Sequence, residues 1–428
     1  MLDDALNAAG FADAPCVRYY RTIRNGVGTT AEQLGYGVNK RPPAAAVRTC
    51  LTRIFTDVVE RRSLEYDDSR EQLVRELVGL LLARYLALPA IDAAQIVLFH
   101  GTTEAISVAS DYASRRKLQP VLPLPNYFAF EHSLARHGAG NPQFYSATGR
   151  TTAAPAGQRP RLLVDVAPNG VLGTVFERPP HRTGDLCLLD IPFSLPQFVP
   201  PGSLRRTLRE RLVGERWMLC MTPSKDLSMP GLRVGFIATS DPDFVQFAAA
   251  DRFERGYTVH AATGMIAALH LGLLLLASGD GAEIPRLTRR LAADFHRHSV
   301  PFLSTDEITC FRRELSAARD AFRRNLDVIE HEGLFEISPE TGPPVAGYST
   351  FRWLRADFPS SAAYTRWVNE LGRAGLKVNP NLLFSGDEAA WADLYPDRYG
   401  IRLNLSVPMS ELQPNLRSLA VAMKEATR

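Results

Sequence analysis

Lysine is scarce in this chain. Of 49 basic residues only Lys40, Lys117, Lys225, Lys377 and Lys424 are lysines, and only Lys225 directly follows an apolar, strand-like run, Trp217–Met221. Open parallel sheets bind ligands at the carboxyl ends of their strands, and an amine placed there is a nucleophile toward a carbonyl. A carboxyl stands in a comparable place: Asp190 closes the run Leu186-Cys187-Leu188-Leu189. Its burial is costly unless a cation or a polar N–H meets it; otherwise it reads as a helix cap or a solvated strand end. A third feature is Gly101-Thr102-Thr103-Glu104-Ala105, where a strand-like run gives way to a helical pattern. Free N–H groups and hydroxyls at such a turn suit a dianion, although the same residues also describe an ordinary capped helix.

The segment around the lysine reads Met221-Thr222-Pro223-Ser224-Lys225-Asp226-Leu227-Ser228-Met229-Pro230-Gly231-Leu232-Arg233-Val234-Gly235. It resembles the Schiff-base signature of fold-type I pyridoxal-phosphate (PLP) enzymes of the aminotransferase class I/II family, S-x-S-K followed by a Pro-Gly-x-Arg turn. The resemblance runs from about Leu34 to the C-terminus. It implies that Lys225 carries PLP as a Schiff base, that Thr222, Ser224 and Arg233 bind its phosphate with Gly101, Thr102 and Thr103, and that Asp190 pairs with the pyridine nitrogen. In the same way Pro123-Leu124-Pro125-Asn126-Tyr127 resembles the segment whose aromatic ring stacks on the cofactor, which makes Tyr127 that residue. Gly400-Ile401-Arg402-Leu403-Asn404-Leu405-Ser406 resembles the strand whose arginine clamps the substrate carboxylate, a bidentate match suited to Arg402. Glu65-Tyr66 resembles the element whose tyrosine crosses to the neighbouring subunit's phosphate, so Tyr66 implies a homodimer with shared sites.

Two positions depart from the family pattern. Gly170, in Ala167-Pro168-Asn169-Gly170-Val171-Leu172-Gly173, stands where an asparagine that contacts the cofactor's phenolic oxygen is expected, and Phe193 stands where a tyrosine is usual. Asn169 is the residue at hand to replace one donor. Without such donors the imine should keep its proton to higher pH. The activity implied is therefore amino-acid transamination through Lys225. The alternatives are a non-transaminating PLP enzyme that eliminates, cyclises or oxidises an amino acid, and a PLP-binding regulatory protein without turnover. The last is disfavoured because the sequence before Leu34 is too short for a DNA-binding module.

Positioning these residues requires strands that alternate with helices. Apolar runs at Gln95–His100, Pro120–Leu124, Arg161–Val166, Asp185–Ile191, Trp217–Met221 and Leu232–Ala238 predict strands. Helical spacing marks Asp68–Leu86, Thr103–Arg116, Tyr127–His137 and Ser203–Val213. This is an α/β pattern with a mostly parallel sheet, the PLP-transferase type I fold that the resemblance implies. From about Ile308 the rhythm changes to a long charged helix over Phe311–His331, a strand over Tyr348–Leu354, a helix over Ala362–Ala374 and a last strand over Ile401–Ser406. The expected division is an N-terminal segment 1–60 joined to the small domain, a large PLP-binding domain 61–307, and a small α+β domain 308–428. The Pro- and Gly-rich stretches Gly140–Pro160 and Ser338–Gly347 predict loops.

Composition excludes several other classes. A net charge of +3 over 428 residues, with its paired arginines scattered through helical patterns, predicts no nucleic-acid partner. Five widely spaced cysteines without a CxxC pair predict neither disulfides nor zinc, and His132/His137 and His296/His298 suit helical or loop positions, so no metal is expected. The acidic start Met1-Leu2-Asp3-Asp4 lacks a signal-peptide pattern, and Gly264–Ala277 is too short to span a bilayer, which predicts a cytoplasmic protein with no membrane contact. The amino acid acted on is not legible. Its side chain would meet the loops Asn25–Asn39, with Gly35 in a Gly-Tyr-Gly turn near the substrate, Arg252–His260, with Arg255 and Tyr257, and Lys377–Phe384.

Overall fold

The computed structural model describes residues 32–426 apart from 36, 61–67, 154–158, 213, 215, 257–258, 260, 337 and 386. The chain enters through β1 (Glu32–Gln33) and α1 (Ala45–Glu60), then α2 (Asp68–Leu86). Next come β2 (Ile96–Phe99), α3 (Thr102–Arg115), β3 (Gln119–Pro123), α4 (Ala129–Arg136), β4 (Gln143–Tyr145), β5 (Arg161–Val166), β6 (Leu186–Ile191), α5 (Ser203–Arg211), β7 (Trp217–Met221) and β8 (Gly235–Thr239). Three helices follow, α6 (Pro242–Arg255), α7 (Ala261–Ser278) and α8 (Ile284–Arg297). The remainder is α9 (Thr305–His331), β9 (Ser349–Trp353), α10 (Ser361–Arg373), β10 (Leu376–Lys377), β11 (Asn379–Pro380), α11 (Glu388–Leu394), β12 (Gly400–Asn404) and α12 (Met409–Ala426).

Seven strands form one sheet in the order β2-β8-β7-β6-β5-β3-β4. All neighbours are parallel except β8, which runs against both β2 and β7. The strands are apolar on both faces because helices cover both. Alternate residues divide accordingly: Leu98, Leu189, Leu219 and Phe236 join one buried cluster with α1, α2 and α7, while Val97, Leu188, Met218 and Ile237 join the other with α3. The apolar helix α7, which by length and composition would also suit a bilayer, is almost wholly buried against α1, α2 and the sheet. Its closest partner is α2, whose Leu77, Leu81 and Tyr85 share its cluster.

The second, smaller sheet is β11-β12-β9, antiparallel throughout, and β1 pairs in parallel with β10 beside it. The entry segment therefore divides in space. Residues 32–33 lie with the small sheet, whereas α1 packs on α7 and α9. The long helix starts at Thr305 rather than Phe311, since Ser304 and Glu307 form a reciprocal capping box that adds its first turns. Ile308 and Phe311 at its start belong to the large-sheet cluster, and Phe322, Leu326 and Ile329 to the one shared with the small sheet. One strand lies in a stretch expected to be loop: β4 is three residues long and forms the sheet edge beside β3.

Candidate active site

The direction of the strands gathers the chemistry at one edge. Strands β2, β5, β6 and β7 end on the same side, and β8, running backwards, begins there, with Phe99 opposite Gly235 and Met221 opposite Phe236. Gly101, Asp190, Lys225 and Arg233 thus meet although they lie far apart in sequence.

At the end of β2, Gly101 is the N-cap of α3 with φ +88. A Cβ there would lie 2.9 Å from an Arg233 guanidinium nitrogen, and one on Gly235 would lie 2.8 Å from the Gly101 carbonyl carbon and the Thr102 nitrogen. The two glycines let the helix start, the β8 backbone and the guanidinium close on one another. The N–H groups of the first helical turn and the guanidinium beside them suit a dianion. Glu104, also in that turn, is turned back to accept the His100 N–H at 2.6 Å. Thr102 is half-buried and Thr103 exposed, its hydroxyl 3.5 Å from that of Tyr127. Tyr127 is 40% exposed, and its ring lies 4.8 Å from that of Phe128.

On the lysine turn, the Thr222 hydroxyl donates to the Val234 carbonyl at 2.7 Å, accepts from the Ser224 N–H at 3.1 Å and lies 2.8 Å from Ser224 Oγ. Thr222, expected at the phosphate, is here engaged in closing the turn between β7 and β8. The Lys225 amine donates to the Gly37 carbonyl at 2.5 Å. Burial, with Arg402 and Arg233 nearby, lowers it to about 8, which raises the neutral fraction at working pH.

Asp190 is buried at the end of β6, and its Oδ1 has no hydrogen-bond partner. Burial drives its carboxyl up to about 7, with a contact from Cys220 opposing. A buried polar atom without a partner is uncommon in folded proteins and calls for an occupant. A ring N–H held as a cation fits that vacancy in charge and polarity, so the residues present suit the pyridine nitrogen of PLP.

Arg402 lies on β12, between Phe351 of β9 and Asn379 of β11. Its guanidinium donates to the Gly35 carbonyl at 3.2 Å and sits 5.0 Å over the Phe384 ring, its Nε is buried without a partner, and burial lowers it to about 10. Among the described residues no carboxylate pairs with it. A largely buried guanidinium lacking an acid suits an anion that arrives from outside. Gly35 and Gly37 are strapped across this sheet by Arg402, by Asn379, which donates to the Gly35 carbonyl, and by Asn404, which donates to the Val38 carbonyl at 2.8 Å. There is no room for a side chain at Gly35, where a Cβ would meet Asn379 at 2.8 Å.

Asn169 is wholly buried and committed to its own turn: its carbonyl accepts from Val171 N–H at 2.9 Å and Leu172 N–H at 3.1 Å, and its amide donates to the Pro125 carbonyl at 2.9 Å. It cannot swing to a ligand without unmaking the turn. Gly170 is not forced by space, since a Cβ would only touch Pro192 at 3.6 Å. Phe193 lies flat against Gly347, whose Cβ would fall 2.3 Å from the ring.

Two groups here were not foreseen from the sequence. The Tyr348 hydroxyl donates to the same Gly37 carbonyl at 3.1 Å, and its ring lies 5.8 Å from that of Phe193. Asp226, next to the lysine, accepts from the N–H groups of Ser194 and Leu195 at 2.8 and 2.9 Å and from His270 of α7 at 2.7 Å, tying the lysine turn to the Phe193 turn. Arg255 pairs with Asp251 along α6 at 2.8 Å, and Tyr36, Tyr66 and Tyr257 lie outside the described residues.

No protein-family model and no curated protein matches the chain. Solved structures do. An aminotransferase from Neisseria meningitidis is 17% identical with a TM-score of 0.63, covering 96% of this chain and 97% of its own. A probable N-succinyldiaminopimelate aminotransferase from Thermus thermophilus is 15% identical with a TM-score of 0.63, covering 96% and 98%. YbdL from Escherichia coli, whose structure identified a methionine aminotransferase function, is 15% identical with a TM-score of 0.61, covering 95% and 96%. The chain has the mixed α/β fold of these aminotransferases over nearly its whole length.

Proposed function

We propose that this chain is a PLP-dependent aminotransferase that takes the amino group from an amino acid. The observation that carries the reading is the buried carboxyl of Asp190, one oxygen of which has no partner, at the end of β6, on the sheet edge where Lys225 and the Gly101–Arg233 contact also lie. PLP bound there supplies an aldehyde and an electron-accepting ring. Lys225 would hold that aldehyde through its amine and is the base that would take and return the proton at the substrate's Cα. Asp190 holds the proton on the ring nitrogen. Gly101, Thr102, Thr103, Ser224 and Arg233 hold the phosphate, with Thr222 keeping their turn closed, and Tyr127 covers one ring face. Arg402 holds the substrate's carboxylate and so fixes which Cα bond faces the amine.

The active unit in this reading is a cytoplasmic homodimer, in which Tyr66 of each chain reaches the phosphate site of the other. The test is single-turnover: purified protein with PLP is mixed with each common amino acid without acceptor, then with a keto acid. Keto-acid release equal to the aminated cofactor formed supports the reading. Oxygen consumption, or ammonia release without an aminated cofactor, overturns it.

A further inference from the structure

We propose that Tyr348 is a cofactor-binding residue, whose hydroxyl supplies the hydrogen bond to the phenolic oxygen of PLP that neither position 170 nor position 193 can give. This rests on the PLP reading of the site and adds a residue that the lysine motif does not contain.

Positions 170 and 193, at the ends of β5 and β6, offer that oxygen no donor, and Asn169 would have to unmake its turn to supply one. Gly170 has no side chain, Phe193 has no hydroxyl, and the Asn169 amide is held in its turn by three hydrogen bonds. Tyr348 reaches the same space from the other sheet. It is 1% exposed, its ring packs beside that of Phe193, and its hydroxyl shares the Gly37 carbonyl with the Lys225 amine. A phenol and an amine that converge on one oxygen lie close together. An imine formed at Lys225 places a phenolic oxygen next to the same nitrogen. With that nitrogen in an imine, the Gly37 carbonyl would lose one donor, and an anionic oxygen nearby would be a better acceptor for the Tyr348 hydroxyl than a carbonyl.

The surroundings keep Tyr348 a donor. The charged groups about it are Lys225 and Asp226 on the lysine turn and Arg402 on the adjacent strand; burial pushes the phenol well above its ordinary value, with Arg402 opposing and Asp226 reinforcing. It therefore stays protonated at working pH and donates rather than accepts. The structural consequence is an exchange: the aromatic ring is retained at 193, and the hydroxyl comes from the neighbouring ring. This removes the ground for expecting a raised imine midpoint in the natural protein.

The test is a spectroscopic pH titration of the imine band in the PLP-loaded natural protein, Tyr348→Phe, Phe193→Tyr and the double variant, with PLP affinity measured separately. A donor lost from a phenolate should raise the midpoint by about one pH unit in Tyr348→Phe, a tenfold change in proton affinity. The double variant should return it close to the natural value, while Phe193→Tyr alone should move it little, because a donor is already present. A Tyr348→Phe midpoint equal to that of the natural protein overturns the proposal and leaves the PLP reading standing. Should Tyr348→Phe not fold, a large fall of the midpoint in Phe193→Tyr alone overturns it equally, since it shows that no donor was there. A natural protein that forms no imine band overturns the PLP reading and this proposal together.

Discussion

Replacing Asp190 by asparagine should make the protein without PLP more stable at neutral pH, not less. The carboxyl is raised from its ordinary 3.8 to about 7 because it is buried with no cation beside it and only Cys220 as a side-chain partner. The sign follows from proton linkage. Between those two values the folded chain keeps a proton that the unfolded chain has released, so stability falls as pH rises through the window and levels off above about 7. A shift of roughly three units corresponds to about 4 kcal/mol, an upper figure because the site relaxes and admits water. Asparagine carries no such penalty. Between about pH 5.5 and about pH 8 the stability of Asp190→Asn relative to the natural chain should therefore rise by roughly 2 kcal/mol, the part of the window that the range covers. Urea unfolding of both PLP-free proteins, followed by tryptophan fluorescence at several pH values, measures this directly. With saturating PLP the order should reverse at neutral pH, because only the natural carboxylate gains a cationic partner. Two stability curves that stay parallel from acid to neutral pH would refute the argument and would mean that the carboxyl has a partner or water in the folded chain.

Three further outcomes follow from the geometry. Arg402→Lys should lower kcat/KM for the amino acid by about 100-fold with little effect on PLP affinity, since a lysine cannot meet a carboxylate in two-point fashion; steady-state kinetics and a PLP titration separate the two. Gly101→Ala, which forces a side chain at φ +88 and 2.9 Å from Arg233, should cost on the order of 1–3 kcal/mol and weaken PLP binding, as read by thermal unfolding and fluorescence quenching. The rate at which the PLP-free protein captures PLP should climb as pH rises through about 8 and then level, tracking loss of the Lys225 proton; a flat profile across that range would contradict the buried environment of the amine.

Much of the site was legible because its parts are local. Lys225 and Arg233 lie on one turn between adjacent strands, and Gly101 stands where a strand becomes a helix, so the family resemblance of two short segments points to them. Helix α2 spans the same residues that its leucine spacing predicts, Asp68–Leu86. What stayed hidden depends on distant packing. Tyr348 opens a strand like many aromatics do, and only the close fit of Phe193 on Gly347 and the turn of the strap at Gly37 give its hydroxyl a place in the site. The Asp226–His270 contact joins residues 44 apart through a helix whose sequence signals nothing but apolarity. Strand β4 escaped notice because an edge strand of three residues between prolines and glycines carries too short an alternation to read.

The backward run of β8 has a consequence for biosynthesis. Because the chain leaves the sheet after β7 and re-enters it at the same edge, residues 222–234 form one short excursion holding both Lys225 and Arg233, and the strands that surround them are all earlier in the chain or immediately next. A ribosome making this protein from its N-terminus has therefore released every large-sheet residue of the cofactor grip, from Gly101 to Arg233, before it starts α9. Tyr348 and then Arg402, in the last strand, come later. The nascent chain thus passes through a length at which it carries the full seven-stranded sheet with Gly101, Lys225 and Arg233 but not Arg402, the residue proposed to hold the substrate carboxylate.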